Sequence, residues 1–416
     1  LDFPLDFVRG FFPALTDSSD LYFDNAAGTQ VPQTVVEAVG DHLTRRNVQR
    51  GGRFLLSEEV DELVRQARES LAVFVNARHP EEIAFGANAT ALIRSVALAF
   101  AEVLKPGDEV IVTELDHEAN IAPWLALEAR DIKVKFWPVE KEGARLDIER
   151  LDKILTDRTR LVAVTKASNA VGTIVDLIPI AERIHARKGY LFADAVAFAA
   201  HGPLDVQFFD CDFLVCSGYK AFGPHIGFLW GKREVLDSLP TFRESFIPDR
   251  APDKVELGTQ NYEGIAGLNA AVGYIEELGR RSRHLPLPPE EDVGRRGDMR
   301  RGMHAVRQYE RSLTGYLLRR LRALPFIEVQ GFTDPDHAAL RTPTLCFNIK
   351  GLEPAKVSRH LAKERIIVKD GHVYCPRLFR ALGLSEKTGG VRVSLVHYNS
   401  GGEVDRFLDT LQEMPR

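Results

Sequence analysis

A lysine stands inside Ser217-Gly218-Tyr219-Lys220-Ala221-Phe222-Gly223-Pro224, directly after the run Asp212-Phe213-Leu214-Val215-Cys216. A lysine at the mouth of a buried strand loses solvent. Desolvation lowers its pKa and makes the amine nucleophilic toward an aldehyde. Alone, a lysine after a strand is an ordinary surface residue. Asp194 changes that weighting, because it ends the apolar run Tyr190-Leu191-Phe192-Ala193. A carboxylate at a strand end can cap a helix or close a turn. It can also pair with the nitrogen of a pyridine ring and keep it protonated. An aldehyde for the lysine and a pyridine for the carboxylate together describe pyridoxal 5′-phosphate (PLP), held on Lys220 as a Schiff base.

A phosphate needs donors. Gly86-Ala87-Asn88-Ala89-Thr90 lies between a strand-like run and a long helical pattern, where free backbone N–H groups make an anion site. Thr90, Ser217 and Thr259 can add hydroxyl donors. Ser168-Asn169-Ala170-Val171-Gly172-Thr173 follows another strand, and the Asn169 amide could touch cofactor or substrate, although turn chemistry explains it equally. Arg392, in Gly-Gly-Val-Arg-Val-Ser-Leu, carries a planar guanidinium of the kind that grips a carboxylate through two parallel hydrogen bonds.

These residues need strands to position them. The strand candidates are 82–85, 109–113, 133–138, 160–165, 190–193, 213–216 and 227–230. Most are apolar throughout, as strands buried on both faces are. Helical patterns at 89–104, 148–155 and 178–188 lie between several of them. Such alternation predicts an α/β fold with a mostly parallel central sheet, whose ligands bind beyond the carboxyl ends of the strands. The large domain is expected over 20–278. Residues 279–311, dense in arginine and poor in apolar side chains, read as a polar insertion or a helix with a solvated face. A smaller α/β domain is expected over 312–416, joined by the N-terminal segment 1–19. Its elements are helices at 315–324, 354–363 and 402–411 and strands at 344–349 and 391–395.

Composition narrows the function. Of 416 residues, 44% are hydrophobic and 27% charged, an ordinary globular balance. A formal net charge of −5 offers no basic footprint for nucleic acid. No apolar run is long enough to span a bilayer, and residues 1–15 lack the pattern of a signal peptide. The four cysteines show neither metal-site nor redox spacing, so no metal is expected. Free thiols in a reducing cytoplasm are the expectation.

In order and spacing, these elements resemble the class V aminotransferase superfamily, specifically its cysteine-desulfurase-like branch. The matching segments include Tyr22-Phe23-Asp24-Asn25-Ala26-Ala27, His117 with Ala119-Asn120-Ile121-Ala122-Pro123-Trp124, Ser168-Asn169 with Gly172-Thr173, Ser217-Gly218-Tyr219-Lys220 with Gly223-Pro224, and Gly258-Thr259-Gln260-Asn261. Arg392 and His397-Tyr398-Asn399 complete the series. The resemblance implies the PLP-dependent transferase fold type I. It implies that Lys220 binds the cofactor, Asp194 pairs with its ring nitrogen and His117 stacks on the ring. Ala89, Thr90 and Ser217, with Asn88 beside them, would hold the phosphate. Thr259 would reach the phosphate of a neighbouring subunit in a homodimer with shared sites. Asn169 and Arg392 would bind the carboxylate of a small amino-acid substrate. Arg50 and Arg53 fall in a loop that lies near the site in the family, where a second arginine could bind a side-chain carboxylate.

Four departures bear on activity. Glu118 stands where many desulfurases have a second histidine, Ala197 where many relatives have Gln or His, and Tyr219 where a histidine usually precedes the lysine. The fourth is larger. Aligned without a gap, the persulfide-forming cysteine of the family falls on Tyr374, and Cys375 comes one residue late. One residue in an extended loop turns a side chain to the other face. The expectation is a spectator Cys375 beside a substrate-gating Tyr374; the alternative is a catalytic, persulfide-forming Cys375 on a loop flexible enough to absorb the shift. The expected function is a PLP-dependent lyase acting at Cβ of a small amino acid. A β-decarboxylative aldolase using aspartate and an aldehyde, an aminotransferase or epimerase, and a catalytically silent PLP-fold partner protein are the alternatives.

Overall fold

The computed structural model describes residues 3–16, 18–285, 287 and 293–414. Its centre is a seven-stranded sheet: Ile83–Gly86, Gly227–Gly231, Phe213–Ser217, Tyr190–Asp194, Thr159–Thr165, Glu109–Thr113 and Lys133–Trp137, in that spatial order. The last five run parallel, and Gly227–Gly231 is antiparallel to both its neighbours. All seven strands were legible, most of them as apolar runs, with ends within one residue of those expected. Burial of both faces explains that legibility. Val110, Leu161, Phe192 and Phe213 enter one apolar core. Their chain neighbours Ile111, Val162, Leu191 and Leu214 enter the core on the opposite face. Successive side chains alternate sides, so a strand covered on both faces must be apolar at every position.

The order of strands reverses between Glu109–Thr113 and Thr159–Thr165. Crevices at such switch points, beyond the carboxyl ends of strands, are where ligands bind in open α/β sheets.

A second sheet of four antiparallel strands, Ile327–Gln330, Thr344–Ile349, Gly390–Ser394 and Lys369–Gly371, forms the smaller unit. Helices Pro354–Lys363 and Gly401–Gln412 supply Val357, Leu361, Phe407 and Leu411 to its core. Helix Gly401–Gln412 opens with a reciprocal capping box, Ser400 with Glu403.

The arginine-rich stretch is helical from Gly294, one of the two forms expected, but its extent and burial differ from expectation. Residues 286 and 288–292 of the expected insertion lie outside the described residues. From Gly294 the chain is one helix to Arg322, running straight through the expected boundary at 311/312. Met299, Met303 and Val306 enter the large-unit core, while Leu313, Leu317 and Leu321 enter that of the small unit. The helix is therefore a shared beam and not a solvated insertion. Its arginines hid this because their carboxylates lie elsewhere in the sequence: Arg295 pairs with Glu276 at 2.9 Å and Arg296 with Asp205 at 3.1 Å. Where this helix crosses Tyr262–Arg281, Gly302 and Gly279 face each other, and a Cβ on either would strike the backbone of Ile275 or Asp298.

Candidate active site

Three strand ends and one helix start build a cleft. Thr165, Asp194 and Ser217 are the last residues of their strands, and all three line it. Lys220 follows in a 3₁₀ turn, Gly218–Lys220, and also lines the cleft. So do Asn88, Ala89, Thr90, His117, Asn169, Ala197 and Tyr219. The sequence signals separated by some 130 residues thus meet around one space.

Helix Ala89–Val103 points its N-terminus into the cleft. Asn88 caps it, with Oδ1 accepting from Ala91 N at 2.9 Å. The first helical N–H groups, those of Ala89 and Thr90, have no acceptor within the helix and carry the positive end of its dipole. Backbone packs tightly behind them: a Cβ on Gly227 would stand 2.6 Å from the carbonyl carbon of Asn88 and 2.8 Å from Ala89 N.

Burial sets the charges. It brings the Lys220 amine down to about 8, with Arg392 adding to the effect and Asp194 opposing it. Burial raises the Asp194 carboxyl to about 6, against a hydrogen bond from Val196 N at 2.9 Å and the nearby lysine. The His117 imidazole is pushed down to about 4 by burial, then by Lys220 and Arg392. Its Nδ1 accepts from Ala119 N at 3.0 Å, which fixes the ring plane. The Tyr219 ring stacks on His225, centroids 4.9 Å apart.

Arg392 is 3% exposed. It lies on strand Gly390–Ser394, with Nη2 donating to Asp24 Oδ1 at 2.8 Å and Nη1 to the Asn169 carbonyl at 3.1 Å. Asn169 is held by the loop that follows strand Lys369–Gly371. Its Nδ2 donates to the Val373 carbonyl at 2.8 Å, and its Oδ1 accepts from the Cys375 thiol at 2.8 Å.

That loop separates the two candidate nucleophile positions. Tyr374 is 59% exposed, with its ring tilted against His117, centroids 5.4 Å apart. Cys375 is 1% exposed, and burial pushes its thiol up to about 12, with Asp116 adding. Val373 and Tyr374 both adopt left-handed backbone, φ 40° and 66°, a costly conformation for non-glycine residues. Glu118 braces the loop: its N–H donates to the Tyr374 carbonyl at 2.9 Å, and its carboxylate meets Arg377 at 3.5 Å.

Three expected residues lie apart from the cleft within this chain. Arg50 is exposed and paired with Asp61 at 2.7 Å, and Arg53 is exposed. Thr259 is exposed and lines a neighbouring cavity with Gly86 and Ala91. His397-Tyr398-Asn399 is buried, with His397 bonded to the Tyr274 hydroxyl at 2.6 Å. Two carboxylates escaped the sequence reading. Asp24 was visible only as part of a motif. Asp116, next to His117, is buried, raised to about 7 by that burial, and accepts from Asn120 at 2.7 Å. Among the described residues no cluster of His, Cys, Asp and Glu could hold a metal, and no helix is long and apolar enough to cross a membrane.

The donor set fits PLP. An amine of lowered pKa, a buried carboxylate, an imidazole face and a helix N-terminus surround one space. Comparison with known proteins agrees. A sequence model of the family described as aminotransferase class-V matches residues 21–284 and 299–407. The chain is 35% identical over 420 residues to the aminotransferase-like protein FGM3 of Gibberella zeae, covering 99% of this chain and 98% of that protein. It is 33% identical over 424 residues to a probable cysteine desulfurase of Synechocystis sp., covering 97% and 94%. Among solved structures, it is similar to the apo cysteine desulfurase of Thermococcus onnurineus NA1, with TM-score 0.86, 27% identity and coverage of 99% and 98%. It is also similar to the cysteine desulfurase CsdA of Escherichia coli, with TM-score 0.83, 28% identity and coverage of 99% and 98%. The chain has the fold of the type I PLP-dependent enzymes and belongs to the aminotransferase class-V family, as a PLP-dependent, cysteine-desulfurase-like enzyme.

Proposed function

We propose that this protein is a PLP-dependent lyase acting at Cβ of a small amino acid, in which no thiol of the enzyme receives the departing group. One observation carries the reading. Lys220 lines the cleft with a lowered pKa, whereas Cys375 is buried, protonated and bonded to Asn169. A thiolate is the nucleophilic form of cysteine, and apolar burial works against it.

The chain's own residues divide the work. Ala89 and Thr90 N–H groups, with the Ser217 and Thr90 hydroxyls, would hold the phosphate at the helix start. Asp194 would pair with the ring nitrogen, and His117 would cover the ring face. When bound, PLP supplies a ring into which electrons left at Cα can spread. Arg392 and the Asn169 amide take the substrate carboxylate. Lys220 would act as the base that removes the proton at Cα and returns it later. Tyr374, exposed over His117, guards the entrance.

Two chains are proposed to share their sites. The support is a set of exposed apolar side chains, Phe54, Leu55, Phe242, Phe246 and Leu257, with Thr259 two residues beyond the last. Phe242 and Leu257 line one cavity with the exposed Leu98, and exposed apolar surface that gathers in this way marks interfaces.

The test is product analysis of PLP-loaded protein given cysteine or aspartate, beside Lys220→Ala. The expected result is release of a Cβ substituent, sulfide or carbon dioxide, that disappears in the variant. Transamination alone, with Cβ intact, would overturn the reading.

A further inference from the structure

Residues 24–29 form a strap across the site. Asp24 makes an isolated parallel bridge with Ser394, at the end of the strand that carries Arg392. Asn25 Nδ2 donates to the Ser394 carbonyl at 2.7 Å, and Ala26 N to the Ser394 hydroxyl at 2.8 Å. At its other end, Thr29 N donates to the Tyr219 carbonyl at 2.9 Å, and the Thr29 hydroxyl accepts from Phe222 N at 2.9 Å. The strap therefore fixes the strand of Arg392 to the turn of Lys220.

The Asp24 carboxylate is the strap's one charged contact with the site. It holds Nη2 of Arg392 while the Asn169 carbonyl holds Nη1, so the guanidinium plane cannot turn. Arg392 is 3% exposed, and its Nε has no partner. A cation so buried needs a counter-ion, and among the described residues Asp24 is the carboxylate within ion-pair distance. A guanidinium has five N–H donors, so the two bonds leave donors for a second acceptor.

We propose that Asp24 is a positioning residue, which keeps Arg392 oriented for the α-carboxylate of the amino-acid substrate. The proposal rests on the lyase reading above, which gives Arg392 that carboxylate. A planar clamp binds through two hydrogen bonds only when its plane is fixed, so freeing the plane weakens the carboxylate and spares the amine end of the substrate.

The experiment uses full-length PLP-loaded protein and two probes, L-alanine and ethylamine. Both carry an amine for the cofactor, and only alanine carries a carboxylate. Binding is read from the visible absorbance of the loaded protein, without turnover. Wild type is expected to bind alanine more tightly than ethylamine. Asp24→Asn is expected to weaken alanine by about tenfold or more, one charge-assisted hydrogen bond, and to leave ethylamine unchanged. Asp24→Glu keeps the charge and is expected to hold alanine more tightly than Asp24→Asn does. Equal or tighter alanine binding in Asp24→Asn would overturn the proposal and leave the lyase reading standing. Equal weakening of both probes would mean general damage to the site and would also overturn it. A wild type that does not prefer alanine would remove the role of Arg392, and the proposal with it.

Discussion

At the residue scale, burial sorts the ionisable groups into roles. Lys220 is brought down to about 8, and only the neutral amine attacks an aldehyde. Capture of PLP by cofactor-free protein should therefore quicken as pH rises and level off above about 8, where an ordinary lysine would climb on toward 10. Stopped-flow absorbance checks this, and Lys220→Ala should give colourless protein. Asp194→Ala should retain cofactor but lose about a hundredfold in kcat, the scale of removing a preorganised charge from a reacting centre. Much of this set was legible, because Lys220, Asp194 and Asn169 each follow an apolar run and strand ends face the crevice. The bonds from Cys375 to Asn169 and from Arg392 to Asp24 were not. They join residues 206 and 368 positions apart, and only the fold creates them.

At the element scale, the phosphate site depends on close approach of backbone. Gly227→Ala would drive a methyl group to 2.6 Å from the Asn88 carbonyl carbon. The helix start must then shift, at a cost of about 1–3 kcal/mol. The variant should lose cofactor on dialysis and unfold at lower urea, both measured beside wild type. The strands could be read because burial on both faces makes them apolar throughout. Helix Gly294–Arg322 was read as a helix only toward its end, at 315–324, because its earlier apolar residues are spread among arginines whose partners, Glu276 and Asp205, are supplied by other elements.

At the scale of the whole molecule, separate apolar cores are held together by shared pieces. One helix serves both cores, and the strap fixes Arg392 to the Lys220 turn. The exposed apolar residues near Thr259 predict a dimer by sedimentation. Phe242→Asp with Leu257→Asp should give monomers that bind PLP more weakly, since Thr259 would no longer reach a partner's phosphate. A wild-type monomer with full cofactor affinity would refute the shared site. Neither the strap nor the face carrying Phe242 could be read from periodicity, which reports only what one segment does with its own faces.

The central claim is that chemistry at Cβ runs through Lys220 without a thiol nucleophile. The most direct measurement is sulfide release from cysteine by PLP-loaded protein, wild type beside Cys375→Ala. The account predicts that the two behave alike, within about tenfold, the cost of one lost hydrogen bond to Asn169. Sulfide from the wild type and none from the variant would contradict it and make Cys375 the nucleophile.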